Sequence, residues 1–346
     1  FQTVMRDLHA GLCEVYGADH AVIVPGGGTF GMEAVARQFG QGAMALVVRN
    51  GWFSYRWSQI LETGAFSGGV EVIKARQQGN DARSAFAPAP VEQVTARIRE
   101  VKPDVVFAPH VETSAGVILP DDYIAALAAA AHDVGALMVL DCIASGCVWV
   151  DMKATGVDVL ISAPQKGWSA QPCAGLVMLS DRAKARLGET TSDSFSIDLK
   201  KWSQIMDAYL AGGHAYHATM PTDGLRAFRD TLIETRDYGF QRLKDAQWDL
   251  GGKVRAMFAA KGIPSVAAEG FQAPGVVVSY APSDEVKTGK AFMAHGMQIA
   301  AGVPLQCDEP ADFSTFRIGL FGLDKLMDVD GTVARLGRVV DQVFPA

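Results

Sequence analysis

Lys166 stands in the stretch Ser162-Ala163-Pro164-Gln165-Lys166-Gly167-Trp168, directly after the apolar run 159–161. A lysine in a Ser/Pro/Gly-flanked loop at the carboxyl end of a strand can be partly desolvated. Its amine is then available as a nucleophile toward an aldehyde. Asp141 closes a second apolar run, Val139-Leu140-Asp141. An ionised carboxylate is costly to bury there without a cationic partner, and a protonated ring nitrogen would be one. Capping a following helix is the plainer use of an aspartate in that place. Together, a lysine and an aspartate at neighbouring strand ends are what a pyridoxal phosphate site requires.

Further segments share this placement. Pro25-Gly26-Gly27-Gly28-Thr29 lies between an apolar run and a helical pattern. Its glycines let the backbone approach a ligand closely, the helix start offers free N–H groups to an anion, and Thr29 adds a hydroxyl. The same residues would also make a tight turn. Gly26, Gly28 and Gly31 fit G-x-G-x-x-G, but no acidic residue closes the next strand, and G-K-[ST] is absent. A phosphate cradle for one small cofactor therefore suits the loop better than a dinucleotide or nucleoside triphosphate site. In Asn50-Gly51-Trp52-Phe53 an aromatic side chain could stack on a heteroaromatic ring or simply pack a helix start. His110-Val111-Glu112-Thr113-Ser114-Ala115-Gly116 brings hydroxyls and a histidine that is more readily structural than catalytic. Arg317, in Phe316-Arg317-Ile318-Gly319, needs an anion: a substrate carboxylate held by its fork, or a structural ion pair. Tyr216-His217-Ala218-Thr219-Met220-Pro221 completes the set.

These residues need a scaffold that brings strand ends together. Strand patterns cover 21–24, 45–48, 70–73, 105–108, 137–140, 157–161 and 175–179. Helical patterns between them cover 31–39, 54–62, 91–101 and 121–134. The alternation argues for an α/β fold, a mainly parallel sheet sandwiched by helices, with ligands at the carboxyl ends of its strands. Residues 225–261 read mostly as one long helix. Short strands at 276–280 and 316–318, with helices at 285–294 and 329–343, then suggest a smaller α+β unit. The expected division is a large domain over 1–239 and a small one over 240–346.

The 346 residues are 49% hydrophobic and 20% charged, with a net charge of −7 and no Lys/Arg run. Nucleic acid and anionic membrane are thus poor partners. No apolar stretch approaches the roughly 20 residues that cross a bilayer. Five cysteines in no metal-type spacing point to a reduced, cytoplasmic protein. The chain opens at Phe1 within a helical pattern, and the expectation is that its true amino terminus lies further upstream.

Taken in order, these motifs resemble the class V aminotransferases of the fold-type I pyridoxal phosphate enzymes, nearest the alanine–glyoxylate and serine–pyruvate branch. The resemblance runs from Gly26 to the closing helix. It implies pyridoxal 5'-phosphate as cofactor, and amino acid and 2-oxo acid substrates such as pyruvate or glyoxylate. By that resemblance Lys166 carries the cofactor as a Schiff base and Asp141 pairs with its pyridine nitrogen. Phe53 takes the stacking position, with Trp52 as the neighbouring alternative. Gly27, Gly28 and Thr29 match the phosphate loop, Gln165 adds a donor, and Thr113 lies near the ring's phenolic oxygen. Tyr216 and Thr219 match a pair that reaches the neighbouring subunit's cofactor, which implies a homodimer with shared sites. Arg317 matches the arginine that binds the substrate's carboxylate. Three departures stand out. The phosphate loop reads Gly-Gly-Thr, so a side-chain donor is missing; Val-Glu-Thr-Ser-Ala-Gly replaces Gly-Glu-[SN]-Ser-Thr-Gly; and an amino-terminal Gly-Pro turn is not in the sequence. A lyase on the same fold, with Cys307 as a desulfurase-like thiol or with a phosphonate or sulfonate substrate, is the alternative reading.

Overall fold

The computed structural model describes residues 1–345; Ala346, the end of the expected small domain, lies outside the described residues. Seven strands form one sheet: β1 (His20–Pro25), β2 (Met44–Arg49), β3 (Gly69–Lys74), β4 (Val105–Pro109), β5 (Leu137–Asp141), β6 (Val159–Ser162) and β7 (Ala174–Leu179). Their order across the sheet is β1-β7-β6-β5-β4-β2-β3. The run from β3 to β6 is parallel, and β7 is antiparallel to both of its neighbours. Each strand overlaps an apolar run expected from the sequence.

Every residue of β4 to β7 is buried, as in a sheet covered on both faces. The two-residue period of a strand sorts side chains between two cores. Leu46, Val48, Val106, Met138 and Leu140 enter the first, which α1 (Gln2–Tyr16), α4 (Val91–Val101), α5 (Asp121–Asp133) and α8 (Thr222–Tyr238) close. Ala45, Val47, Phe107, Leu137 and Val139 enter the second, beneath α2 (Gly28–Phe39), α3 (Trp52–Gly64), α6 (Asp181–Glu189) and α7 (Leu199–Leu210). Trp57 of α3, fully buried, stacks on Phe107 with ring centroids 4.4 Å apart. α2 rests directly on β7: a Cβ at Gly175 would come within 2.7 Å of the Gly31 backbone, so both glycines are required for the helix to start against the sheet.

Two expected helices need correction. Residues 225–261 form two helices, because Gly239 adopts φ +107° between α8 and α9 (Phe240–Ala260). Segment 285–294 is likewise split into Asp284–Lys287 and Lys290–Met293 by Gly289 at φ +79°. Neither α6 nor α7 is among the expected helices; α6 buries only Ala183 and Leu187 and so carries almost no apolar period. A second, antiparallel sheet joins β8 (Val276–Tyr280), β9 (Ala300–Ala301) and β10 (Thr315–Gly319), with β10 central. It packs under α9 and α10 (Val329–Val343) through contacts such as Phe258 with Phe316, 5.4 Å between centroids. Among the described residues no helix is long and apolar enough to cross a membrane.

Candidate active site

A cavity of about 500 Å³ opens at the carboxyl ends of the parallel strands, with β10 of the second sheet forming part of its wall. Gly27, Gly28, Thr29, Phe53, Thr113, Asp141, Gln165, Lys166 and Arg317 all line it. Residues scattered over the whole chain thus meet in one place because successive strands end on the same side of the sheet. Tyr216 and Thr219 do not reach the cavity of their own chain; Tyr216 is 80% exposed. His110 is not on the wall either. It is buried, with Nδ1 2.7 Å from Ser145 Oγ.

The glycine loop is divided in its demands. A Cβ at Gly28 would run into the Ile143 side chain at 2.6 Å, whereas at Gly27 it would meet nothing within 4 Å. Gly27 caps α2 in an extended conformation (φ −158°), and the first helical bonds to its carbonyl come from Phe30 and Gly31. The N–H groups of Gly28 and Thr29 therefore precede the first turn's bonding and face an anion-accepting helix start. Phe53, at the second position of α3, is on the wall, while Trp52 packs on Tyr55 with centroids 5.7 Å apart. Of the two aromatic alternatives, only Phe53 can face a ligand in the cavity.

Glu112 organises this side of the site. Its fully buried carboxylate accepts from Phe53 N (3.2 Å), Ser54 N (2.9 Å), Ser54 Oγ (2.7 Å), Ser114 N (3.0 Å) and Ser114 Oγ (2.6 Å). It thereby locks the start of α3 to the loop that carries Thr113, and its charge sits at the positive end of the helix. In the sequence Glu112 is marked only by its motif and by the nearby Ser114.

The chain directly after Lys166 is pinned. Gly167 lies so close to Gly146 O that no side chain fits, and Trp168 is buried against Trp149 (4.8 Å), Phe228 (5.8 Å) and Tyr16 (6.3 Å). Burial, and next the Arg317 guanidinium, hold the Lys166 ammonium below the usual lysine range. Asp141 ends β5 beside the end of β6, and its Oδ1 accepts from Ile143 N at 2.9 Å. Burial pushes its carboxyl up to about 7; the Ile143 N–H opposes this, Glu112 adds to it, and Arg56 opposes it. Arg317 donates from Nε to Ala301 O at 2.9 Å, and its Nη1 and Nη2 make no hydrogen bond among the described residues. Its guanidinium lies 5.6 Å from the centre of the Phe53 ring. Arg56, not foreseen, also lines the cavity, 5.3 Å from the same ring centre. Among the described residues, no carboxylate lies within ion-pair distance of Arg56, Lys166 or Arg317. Three cations so arranged call for anionic ligands.

Cys307 does not line this cavity. It is buried, donates toward Arg49 O at 3.4 Å, and burial foremost pushes its thiol up to about 12. A thiol so placed is a poor nucleophile. His110 is similarly disarmed: burial first, then Lys244, lowers its pKa to about 3. Because the folded imidazole resists a proton that the unfolded one accepts near 6.5, His110 costs no stability above about pH 6.5. Below that, stability should fall by about 1.4 kcal/mol per pH unit toward pH 3. His110→Asn is expected to remove that component from urea midpoints measured across pH 4–7; an unchanged slope would refute the assignment.

The fold and site define an aminotransferase, and the chain belongs to the class V family: the Aminotransferase class-V model matches residues 1–246. Among individual relatives, it is 29% identical to the 2-aminoethylphosphonate–pyruvate transaminase of Burkholderia mallei (strain SAVP1), over 99% of this chain and 89% of that one. It is 30% identical to 2-aminoethylphosphonate–pyruvate transaminase 1 of Burkholderia lata, over 95% and 85% of the two chains. The fold is that of the solved alanine–glyoxylate aminotransferase from Nostoc sp., with a TM-score of 0.83 at 21% identity over 99% of this chain and 87% of that one. The pyridoxamine–pyruvate aminotransferase from Mesorhizobium loti gives 0.82 at 18% identity over 99% and 85%. Family and fold imply pyridoxal 5'-phosphate. The site fits that group: the helix start offers free N–H groups, and the Lys166 amine and the buried Asp141 carboxyl line the same cavity without an ion-pair partner among the described residues.

Proposed function

We propose that this aminotransferase takes the amino group of a small donor with an anionic head, 2-aminoethylphosphonate foremost and small amino acids next, and passes it to pyruvate or glyoxylate. The observation that carries the reading is Arg317, whose free fork faces the same cavity as Lys166 with no carboxylate of its own. The names of the curated relatives support the choice of donor and acceptor.

When bound, pyridoxal 5'-phosphate supplies the electron sink that makes the C–H bond beside the donor's amine acidic. Lys166 would hold it covalently and then, as a neutral amine, accept and return the proton at Nζ, a role its lowered pKa serves. Asp141 would pair with the ring nitrogen, and Phe53 would cover the ring face. Gly27, Gly28, Thr29 and Gln165 would hold the phosphate, and Thr113 would lie beside the phenolic oxygen. Arg317 would hold the donor's anionic head.

Tyr216 and Thr219 would complete the site of a second copy in a homodimer. The exposure of Tyr216 (80%), Phe195 (76%) and Phe30 (52%) supports a surface meant to be covered. The break at Gly239 supports a large domain over 1–239 and a small one over 240–346. Five free cysteines among the described residues support a reducing, cytoplasmic setting.

The test measures alanine or glycine formed from pyruvate or glyoxylate, with 2-aminoethylphosphonate, alanine and serine as donors. Arg317→Gln should raise the donor's KM by about 10²–10³-fold and change kcat much less, as losing one partner of a buried charge pair costs about 2–5 kcal/mol. No transfer from any donor, or an unchanged KM in Arg317→Gln, would remove this reading.

A further inference from the structure

Arg56 lies one turn beyond Phe53 on α3, so the two side chains share a face. From there its guanidinium reaches the glycine loop, where Nη1 donates to Thr29 Oγ1 at 2.9 Å. Its remaining N–H groups make no other hydrogen bond among the described residues. It stands on the cavity wall beside the free N–H groups of the α2 start. A half-buried guanidinium fixed by a neutral hydroxyl, with no carboxylate at hand, is poised to bind an anion.

The other half of the argument is Gly27. Its extended backbone suits any residue, and a side chain there would meet nothing within 4 Å. Neither conformation nor packing therefore demands glycine, and the loop forgoes a hydroxyl that it has room to carry. Resting on the reading that Gly27, Gly28 and Thr29 hold the cofactor's phosphate, we propose that Arg56 is a further phosphate-binding residue, which supplies from α3 the side-chain donor that Gly27 lacks. Arg56 and Arg317 then divide two anions between them, cofactor phosphate for the first and substrate head group for the second.

The test titrates the cofactor-free full chain with pyridoxal 5'-phosphate and with pyridoxal, which has the ring but no phosphate. Wild type, Arg56→Gln, Gly27→Ser and the double variant are compared by absorbance and fluorescence, and their melting points are recorded. Arg56→Gln should weaken pyridoxal 5'-phosphate by about 10- to 100-fold, the worth of a charge-assisted hydrogen bond, and leave pyridoxal binding unchanged. Adding Gly27→Ser should recover about 2- to 10-fold, as a neutral donor would. Melting points should agree within about 2 °C, because Arg56 is not core. An affinity of Arg56→Gln within about twofold of wild type would overturn the proposal. So would an equal loss for both ligands, which would place Arg56 in support of Phe53. If wild type itself prefers pyridoxal 5'-phosphate no more than pyridoxal, the phosphate-loop reading falls first and the proposal with it.

Discussion

Lys166→Ala is expected to lower turnover by about 10⁴-fold, the upper end of what one positioned acid/base group supplies. The loss is large because one amine has two tasks, attachment of the cofactor and movement of the proton, and no neighbour can take over either. His110 is buried off the cavity wall and holds its proton only near pH 3. Cys307 is buried elsewhere with its thiol pushed up to about 12. Lys166→Arg should be nearly as inactive as the alanine variant, although it retains the charge, because guanidinium stays protonated at every working pH. That comparison separates a need for a neutral amine from a need for positive charge. The measurements are single-turnover rates with 2-aminoethylphosphonate and pyruvate, and mass spectrometry of the Lys166 peptide after borohydride reduction. Activity in either variant above about a hundredth of wild type would rule out Lys166 as the proton carrier.

Asp141→Asn should lower kcat by about 10²–10³-fold, the range for removing one preorganised charge from a site. It should also make the cofactor-free protein more stable at pH 8. The folded carboxyl titrates near 7, raised by burial, while the unfolded one titrates near the ordinary value of about 3.9. Ionised Asp141 thus costs the fold nothing below about pH 4, and the cost is complete above about pH 7. The sign is opposite to that of His110, whose penalty appears as pH falls below about 6.5. In the cofactor-free wild type the two contributions oppose each other across their shared window. The Asp141→Asn protein should gain stability with rising pH, and the His110→Asn protein should lose it. Urea unfolding at pH 5, 6.5 and 8 checks both slopes. A less stable Asp141→Asn protein at pH 8 would mean that the carboxylate is compensated within the fold. Stability sacrificed at a residue that chemistry requires is a common feature of active sites.

Much of the architecture was legible in local pattern. Most of the sheet strands announce themselves as short apolar runs because both faces of the sheet are covered there, so no polar alternation is needed; the edge strand β3 is mostly half-buried and carries Glu71. The closing helix Val329–Val343 matches its expected bounds, since its buried positions Thr332, Leu336 and Val340 recur at helical spacing. Pattern failed where a single backbone angle decides. Gly239 and Gly289 interrupt stretches whose side chains suit a continuous helix, and φ is not written in hydrophobic period. It failed too for α6, which buries only Ala183 and Leu187.

For the site, sequence alone determined the chemistry on offer: an amine, a carboxylate and a glycine loop after apolar runs, and an arginine within one. Side-chain type and position relative to a strand are local properties, and Lys166, Asp141 and Arg317 could be named from them. Only the tertiary structure decided which residues share the cavity, because that depends on helix azimuth and on contacts between segments far apart in the chain. It turned Phe53 inward and Trp52 toward Tyr55. It set Glu112 beneath the start of α3, and brought Arg56 to Thr29 across the mouth of a loop with an open place at Gly27. It also left Tyr216 on the surface, where its partner must come from another molecule if it is to serve a site at all.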